Sequence, residues 1–556
     1  MICKNIGFSG KILVAFCEVI YMSFVKNDNQ QLTLSDSTFT LTEREKRMLE
    51  KSWAKTFADK VFPAIDENIF SVLYSEKASR PNTPVNVIVG ALILKEVLNV
   101  TDDEIVEAMA FDIRYQYALH TTSFEEQPIS DRTLSRFRAR VLSYETEHDV
   151  DLIHECVVKM AKEISGFMNI TPDKQRMDSL MIAANIRNLS LLELFYTCVA
   201  DLCKIMDERG TKIPDEQRHY IEKDDYNKCI YHKRDMDATE RTIVAMKDAD
   251  VLIKICDSTG DFDDTSEYQL LIRLLKERTI IDGDGSRRIR QKEEVEDPSE
   301  VLLNPSDPEA TFRYKAGGKH LGYVGNIVES VGEKSSLVID YDYQQNTYAD
   351  NQFMKDYLSE KKEFSDGSFI VADGAYSGEA NARLASEHNL KFVTTNFTGR
   401  KPDEIYADFV FTDDGKYLIK CKNNCVPEDC IYDPGNDRSV AYFRISDCEG
   451  CPYKERCQPR FLKTRVRKEV SWKSVGRAKQ LQYMQTEEFS EYAKFRNGVE
   501  AISSLLRRRY HVDKIPVHGK KRTRLFFGFK IAALDFQKLL EYTNSLDSYD
   551  SNKKTA

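Results

Sequence analysis

Apolar positions recur at helical spacing over the first part of the chain and again in its middle. Residues 40–165 follow this pattern, and the apolar run 85–94 predicts a buried helix. A second helical stretch covers about residues 189–277. The charged segment 287–308 contains three prolines, which predicts an exposed loop or linker.

Short segments that predict strands follow this linker. Residues 311–315, 321–329 and 336–343 predict successive antiparallel strands, with Gly317 and Gly318 in the first turn. The predicted fold class is therefore mixed, α+β or α/β, after an all-helical start. Beyond the antiparallel strands, helix and strand patterns alternate, at 350–358, 368–372, 378–387 and 391–395.

Length and composition indicate a large globular protein. With 556 residues and 41% hydrophobic content, the chain is long enough for about three to four domains. No run approaches the roughly 18 to 20 apolar residues of a membrane span, so no membrane partner is predicted. Residues 11–22 faintly imitate a secretion signal, but Glu18 interrupts them and no small-residue cleavage site follows. A start at Met22 in place of Met1 is an equal alternative.

Basic charge is concentrated near the C-terminal end. Residues 458–530 contain 19 Lys or Arg against 6 Asp or Glu, whereas the whole chain has a net charge of −10. Such a segment favours polyphosphate binding through counterion release, with an ordinary charged surface as the alternative. The candidate DNA contacts in it are Arg507, Arg508, Arg509, Lys520, Lys521, Arg522 and Arg524.

A shorter basic stretch lies in the helical first part. Thr101 and Glu104 have the spacing of a capping box, and a later helix begins after Ser130. That helix carries the candidate DNA contacts Arg132 and Arg136. Consecutive short helices ending in a basic one fit a helix-turn-helix-like unit, and a helical bundle with a charged face fits equally well.

Three acidic residues far apart in the chain occupy positions typical of metal ligands. Asp178 and Asp373 each end a short apolar run that predicts a strand, and Glu500 lies in a predicted long basic helix. Two strand-end aspartates and a helical glutamate are able to hold a pair of divalent cations for in-line chemistry at a phosphodiester. With the two aspartates on strands of one mixed sheet, the pattern matches a ribonuclease H-like core interrupted by insertions.

The surroundings of the glutamate strengthen this prediction. Tyr492, Arg496 and Glu500 recur every four residues and Arg507 follows seven residues later, so all four share one helix face. An aromatic ring, a carboxylate and two guanidinium groups on one face suit a metal ligand between phosphate clamps. An ordinary Arg–Glu pair on a solvated helix is the alternative.

Thirteen cysteines are unevenly distributed along the chain. Six crowd into residues 421–457, which without a secretory signal predicts a metal site in a reducing compartment, with a reduced, metal-free cluster as the alternative. The candidate Zn²⁺ ligands are Cys421, Cys448, Cys451 and Cys457, with Cys430 as a substitute. The scattered cysteines are predicted to be small, mostly buried hydrophobic residues, and they are Cys3, Cys17, Cys156, Cys198, Cys203, Cys229 and Cys256.

Together these residues resemble bacterial insertion-sequence transposases of the Asp-Asp-Glu (DDE) class, and the likeness covers most of the chain. Residues 80–138 look like the helical N-terminal domain of that family, and residues 421–457 look like the cysteine-bearing insertion of one branch. The spacing around Glu500 resembles the Tyr-x2-Arg-x3-Glu-x6-Lys signature of the third acid. Tyr492 lies one residue further upstream than the tyrosine of that signature, and Arg507 occupies the position of its lysine.

The resemblance implies a DNA transposase with a metal-dependent mechanism. Asp178, Asp373 and Glu500 would bind two Mg²⁺ ions, which Mn²⁺ is able to replace, for cleavage at the element ends and strand transfer into target DNA. A structural Zn²⁺ is expected in the cysteine-bearing insertion. The implied partners are double-stranded DNA, as terminal repeats and as target, and a second copy of the chain. The implied location is the bacterial cytoplasm, at the nucleoid when DNA is bound.

The corresponding domain division begins with a poorly defined segment, 1–40, and a helical DNA-binding domain, 41–170. A ribonuclease H-like catalytic domain, 171–545, and a disordered tail, 546–556, follow. The catalytic domain contains a helical insertion at about 189–285 and a cysteine-rich insertion at about 403–470. Two other functions remain open: a nuclease of the same fold that does not join strands, and a catalytically inactive or domesticated zinc-bearing DNA-binding protein.

Overall fold

The computed structural model describes residues 23–27, 36–75, 80–232, 237–315, 317–360, 364–397 and 399–554. The choice between Met1 and Met22 as the start lies outside the described residues, as do Cys3 and Cys17. Among the helices of that part of the chain, none combines the length and the apolarity that crossing a membrane requires.

Helices dominate the first half of the described chain and return towards its C-terminal end. They are α1 (Glu43–Glu50), α2 (Trp53–Thr56), α3 (Val85–Leu98), α4 (Asp102–Phe111), α5 (Ile113–Ala118), α6 (Asp131–His148), α7 (Leu152–Phe167), α8 (Leu191–Glu208), α9 (Asp225–Asn227), α10 (Ala238–Thr259), α11 (Ser266–Arg278), α12 (Asp350–Glu360), α13 (Glu379–Glu387), α14 (Ile445–Glu449), α15 (Lys454–Cys457), α16 (Trp472–Tyr483), α17 (Glu487–Asn497), α18 (Val499–Arg508) and α19 (Lys520–Lys554).

Strands are concentrated between these two helical regions. They are β1 (Lys174–Ala183), β2 (Thr279–Ile281), β3 (Arg287–Ile289), β4 (Thr311–Lys315), β5 (Gly318–Val331), β6 (Ser336–Gln345), β7 (Phe369–Ala372), β8 (Lys391–Thr394), β9 (Val410–Phe411), β10 (Leu418–Lys420), β11 (Asp429–Asp433), β12 (Arg438–Phe443), β13 (Arg460–Phe461) and β14 (Val466–Val470).

The chain divides into two compact units. Unit 1 comprises Met1–Thr171, Ser179–Tyr348 and Ser503–Ala556, and unit 2 comprises Pro172–Asp178 and Ala349–Ile502. Strand β1 begins in unit 2 and ends in unit 1, and so does helix α18. One division, between Thr171 and Pro172, lies beside the predicted boundary at residue 170. The helical domain 41–170 stays a prediction, because these residues belong to the same unit as 179–348 and 503–556.

In unit 1, helix α3 lies at the centre of the first helical layer. Its residues 85–94 are all buried, because the sequence is apolar on every side of the helix, and α3 packs against α19. The buried helix predicted there is confirmed. The capping box is confirmed as well, since the Thr101 N–H donates to the Glu104 carboxylate at 2.7 Å and the Glu104 N–H donates back to the Thr101 hydroxyl at 3.2 Å.

A second core in unit 1 lies among α8, α10 and α11. Phe195, Leu202 and Leu252 are fully buried in it, and so is Leu302 from the segment that follows β3. The prediction of an exposed loop or linker at 287–308 is therefore wrong for the second half of that segment. Its prolines do break regular structure, but three consecutive apolar residues at 301–303 are buried and fix the segment to the helices.

The antiparallel strands of unit 1 follow the predicted pattern. Strand β4 pairs with the start of β5, and β5 pairs with β6 over most of its length. Gly322 of β5 has φ +135°, and a Cβ there would lie 2.4 Å from the Ala184 nitrogen and the Ile182 carbonyl oxygen. Only glycine therefore allows β5 to approach the end of β1 this closely.

We expect Gly322→Ala to destabilise the protein by about 3 kcal/mol, because the new methyl group meets backbone atoms that are unable to move aside. Urea unfolding of the full chain measures this effect as a lower midpoint. Gly166→Ala is the matched control, since a Cβ at that helical position meets nothing within 4 Å. Equal unfolding midpoints for the two variants would contradict the expected close contact.

In unit 2, the first half of β1 pairs in parallel with β7, and β7 pairs in parallel with β8. The helices α12 and α13 separate these strands in the chain, which is the alternation that the sequence predicts. The cysteine-rich segment forms its own antiparallel sheet in the order β11-β12-β14-β13. Phe409, Phe411, Leu418 and Phe443 form a small core beside that sheet.

The C-terminal helix is longer than the hydrophobic pattern indicates. Helix α19 runs from Lys520 to Lys554, so most of the stretch 546–556, which is predicted to be a disordered tail, belongs to it. The last two residues lie outside the described range. Within unit 1, α19 contacts α3, α7 and β6.

Candidate functional site

Asp373 directly follows β7, as predicted, whereas Asp178 lies inside β1, so the prediction that Asp178 ends a strand is wrong. Arg176 of β1 is the register partner of Val371 in β7, and each aspartate lies two residues after one member of this pair. Paired parallel strands are about 4.8 Å apart, and residues at equal register point to the same face. From this register we expect the two half-buried carboxylates to lie close together.

The Asp373 carboxylate is held by two donors. Its Oδ1 accepts the Gly374 N–H at 2.5 Å and the Asn396 side-chain amide at 2.8 Å. Asn396 lies just beyond β8, the strand that pairs with β7. Asn396 is not among the residues predicted from the sequence, although its place shortly after a predicted strand of the same sheet is a usable signal.

Arg496 joins the first and third acids. One terminal nitrogen of its guanidinium group lies 3.3 Å from Asp178 Oδ1, and the other lies 3.5 Å from Glu500 Oε1. The Arg496 and Asp178 side chains are only 11% and 16% exposed, whereas the Glu500 side chain is 67% exposed. The arginine therefore pairs mainly with the shielded aspartate, and the glutamate remains accessible to a ligand from solvent.

The predicted long helix around Glu500 is wrong in one respect, because it is interrupted at Gly498 between α17 and α18. A Cβ on Gly498 would lie 1.9 Å from the Arg176 guanidinium, which donates to the Phe495 carbonyl oxygen at 2.9 Å. Glycine at this position lets the helix junction lie directly on β1. Arg176, which the sequence analysis also missed, fixes that junction.

Tyr492 packs inside unit 2. Its ring lies 4.9 Å from the Phe369 ring of β7, and the Lys391 ammonium lies 4.9 Å from its centroid. The structure thus gives this predicted DNA contact a packing role that holds α17 against the parallel strands.

The arginine run after Glu500 lies at the surface of unit 1. Arg507 donates to the Met181 carbonyl oxygen at 2.7 Å and lies 3.4 Å from the Asp513 carboxylate. Arg509 donates to Gln537 at 2.9 Å, and Arg508 contacts Ser504. All three arginines are nevertheless exposed, so their guanidinium groups are able to reach a phosphate.

The second basic run is largely engaged within unit 1. Arg524 pairs with the buried Glu145 and with Asp151, 3.0 Å away, and Lys521 donates to the Glu145 carbonyl oxygen at 3.3 Å. Lys520 donates to Gln344, and burial lowers its pKa. Arg522 is exposed. In the helical first part, Arg132 and Arg136 are exposed on α6.

Five of the six clustered cysteines lie together in unit 2. Burial, followed by the neighbouring thiols of Cys457, Cys421, Cys425 and Cys451, raises the pKa of Cys448 to about 12. A divalent cation would reverse this effect, because it stabilises thiolates. The sequence analysis missed Cys425, although it forms a C-x3-C pair with Cys421.

The Cys430 sulfur contacts groups of the neighbouring strands. It is 2.8 Å from the Ser439 hydroxyl and accepts the Leu418 N–H at 3.3 Å. Alternation along β11 accounts for this placement, because Cys430 is the register partner of Ala441 in β12 and lies within the sheet. Cys425, one of the thiols around Cys448, is a further candidate ligand beside Cys430.

A third group of potential ligands lies in unit 1. Within the described residues, three such ligand atoms lie within 4.8 Å of one another only at His219, Asp225 and Cys229. Neither the three acids nor the clustered thiols form a group that tight. The sequence analysis placed Cys229 among the buried cysteines, but it is only partly buried.

Two protein-family models match the chain. The model described as a transposase DDE domain matches residues 427–540, and the model described as a transposase domain (DUF772) matches residues 46–140. The first match includes Glu500 and lies C-terminal to both aspartates. No match was found among the curated proteins or among the solved structures.

Proposed function

We propose that this chain, which belongs to the insertion-sequence transposases of the DDE class, cleaves DNA at the ends of its element and transfers the freed 3′ ends into target DNA. The observation that carries the proposal is the arrangement of the three acids in unit 2. Asp178 and Asp373 each lie two residues beyond the register pair Arg176–Val371, and Arg496 links Asp178 to Glu500.

The donor set fits divalent cations. Three carboxylates would form a hard oxygen site, and a cation shared by Asp178 and Glu500 would displace the Arg496 guanidinium from between them. Transposases of this class generally use divalent metals. Two Mg²⁺ ions, or Mn²⁺ in their place, would supply the Lewis acidity that activates a water or a 3′-hydroxyl and stabilises the leaving oxygen.

The residues of the chain itself prepare this site. Gly374 and Asn396 fix one oxygen of Asp373, which orients that carboxylate before any ligand arrives. Arg496 holds Asp178 in a shielded position and is close enough to Glu500 to contact a phosphate placed between them. Glu500, on the exposed side, is the acid that DNA meets first.

The strands around these acids support a ribonuclease H-like core. In unit 1, β5 and β6 form an antiparallel pair beside the second half of β1, where the Ala184 N–H donates to the Leu321 carbonyl oxygen at 3.0 Å. In unit 2, the first half of β1 begins the parallel run with β7 and β8. Antiparallel strands followed by alternating helices and strands are the order that the sequence predicts for this core.

DNA contacts are proposed for the exposed arginines. Arg132 and Arg136 on α6, Arg508 and Arg509 on α18 and its end, and Arg522 on α19 have their charge at the surface. Arg507 shares its charge with Asp513, and Lys520, Lys521 and Arg524 contribute less because they contact their own unit. Since two element ends must be joined in one complex, the active form is proposed to be a homo-oligomer.

A structural zinc site in the cysteine-rich insertion belongs to the proposal. Cys421, Cys448, Cys451 and Cys457 remain the proposed ligands, and Cys425 joins Cys430 as a substitute. An all-thiolate site of this kind is normally closed to substrate, so its role is to hold the insertion together.

Cleavage and joining are tested together on DNA that carries the element's own terminal repeat. The full chain with Mg²⁺ is expected to nick this duplex at the repeat boundary and to join the new 3′ end to a target plasmid. Glu500→Gln is expected to bind the same duplex but neither to nick it nor to join it to the target plasmid. Nicks without joined product would favour the nuclease, and binding without any Mg²⁺-dependent cut would favour the DNA-binding regulator.

A further inference from the structure

The connection between α8 and α10 is long and has little regular structure. Between 209 and 232, where the structure describes it, regular structure is limited to the short turns Arg218–Ile221, Asp225–Asn227 and Lys228–His232. Connections of this length without regular structure are uncommon in compact domains unless something holds them. His219, Asp225 and Cys229 are all drawn from these turns.

The three side chains converge on one carboxylate. Asp225 Oδ2 lies 2.8 Å from His219 Nδ1 and 3.5 Å from Cys229 Sγ. The Tyr196 hydroxyl of α8 donates to the same oxygen at 2.6 Å and fixes its direction from the core side. Asp225 is buried, whereas the His219 side chain is 37% exposed, so the group opens to solvent on the histidine side.

These distances suit a borderline metal. Bond lengths of about 2.3 Å for sulfur and about 2.0 Å for oxygen place tetrahedral zinc ligands about 3.5 Å apart, and a nitrogen–oxygen pair about 3.3 Å apart. The sulfur–oxygen separation already has that value, and the nitrogen–oxygen separation would have to widen by about half an ångström. One imidazole, one carboxylate and one thiolate are a donor set that favours Zn²⁺ over Mg²⁺ or Ca²⁺.

We propose that His219, Asp225 and Cys229 bind a zinc-class divalent cation that fastens this connection to α8. The ion replaces the thiol proton of Cys229, which goes to the buffer, and neutral His219 carries its remaining proton on Nε2. Tyr196 orients the ligating carboxylate. The site shares no residue with the three acids or with the cysteine-rich insertion, and it goes beyond the proposed transposase function.

Metal analysis of the full chain, purified from zinc-supplemented cells and dialysed, tests this proposal. His219→Gln retains an amide that is able to donate to Asp225, and Cys229→Ala removes the thiol. Each variant is expected to hold one zinc fewer per chain than the unsubstituted protein. Cys198→Ala, a buried cysteine of α8 in the same core, is the matched control and is expected to keep the full content.

A cobalt experiment separates this site from the cysteine-rich insertion. Zinc-loaded full chain is treated with a mild chelator that leaves thiolate-rich sites filled, and Co²⁺ is then added. Absorption bands of thiolate-bound Co²⁺ are expected in the unsubstituted protein and in Cys198→Ala, and they are expected to disappear in His219→Gln and Cys229→Ala. Equal zinc content in all four proteins, or cobalt bands that persist in both site variants, would overturn the proposal.

Discussion

Asp373→Asn is expected to lower the rate of DNA cleavage by about 10³-fold or more while end binding remains. A carboxamide has the shape of the carboxylate but not its charge. The several kcal/mol of transition-state stabilisation that bound metal ions supply correspond to a decrease in rate of this size. The fold should survive, because the asparagine carbonyl oxygen is still able to accept from Gly374 and Asn396. Single-turnover nicking of a terminal-repeat duplex measures the effect.

The control for this variant makes the same chemical change in the same unit. Asp413 is an exposed aspartate in the turn between β9 and β10, and Asp413→Asn should cleave at the unsubstituted rate. Gel-shift affinities of both variants should lie within about twofold of the parent, because the acids contribute little to phosphate binding. Cleavage by Asp373→Asn within tenfold of the parent rate would remove Asp373 from the catalytic site.

The second large effect is expected at the cysteine-rich insertion. Cys448→Ser should release the zinc and unfold residues 403–470, because Cys448 lies among the four other thiols. Zinc binding supplies on the order of 10 kcal/mol or more to small zinc-dependent folds, and the core of this insertion contains few large side chains. Limited proteolysis should cut the variant within 403–470 and leave the unsubstituted insertion intact.

Cys430→Ser is the matched control for this substitution. Its sulfur contacts Ser439 and Leu418 within the sheet, so the variant should keep its zinc and its protease resistance. Cys425→Ser and Cys421→Ser then show which member of the C-x3-C pair is the fourth ligand. Loss of zinc from Cys430→Ser, with retention in Cys448→Ser, would contradict the assignment.

Local patterns predicted much of the fold. The apolar run 85–94, the capping box at Thr101 and the three antiparallel strands are set by neighbours in the sequence, and the structure confirms each of them. The alternation after residue 350 is confirmed for the same reason. What these patterns lack is any information about partners that are distant in the chain.

The basic run at the start of α19 shows this limit. In the sequence it is a block of like charge, which predicts a surface for phosphate. In the structure Arg524 pairs with Glu145 and Asp151, which lie more than 370 positions earlier. No local signal distinguishes an arginine with a distant acidic partner from one that meets solvent.

The cysteines show the same limit in two ways. Spacing alone favours Cys430 as a substitute ligand, and it does not reveal that the Cys430 sulfur contacts Ser439 of the neighbouring strand. Cys229 has no other cysteine near it in the sequence, and its position beside Asp225 and His219 depends on how an irregular connection folds against Tyr196. The aspartates show the limit too, because the sequence predicts that both end strands, whereas Asp178 lies inside β1 and only Asp373 directly follows a strand.

Peptide cleavage by bound iron tests the central claim most directly, namely that Asp178, Asp373 and Glu500 share one metal site. Fe²⁺ in place of Mg²⁺, with ascorbate and peroxide, produces radicals that cut the protein chain beside the ligands. We expect cuts close to all three acids, each suppressed by excess Mg²⁺ and all weakened together in Glu500→Gln. Magnesium-sensitive cuts beside the two aspartates with none near Glu500 would contradict the account.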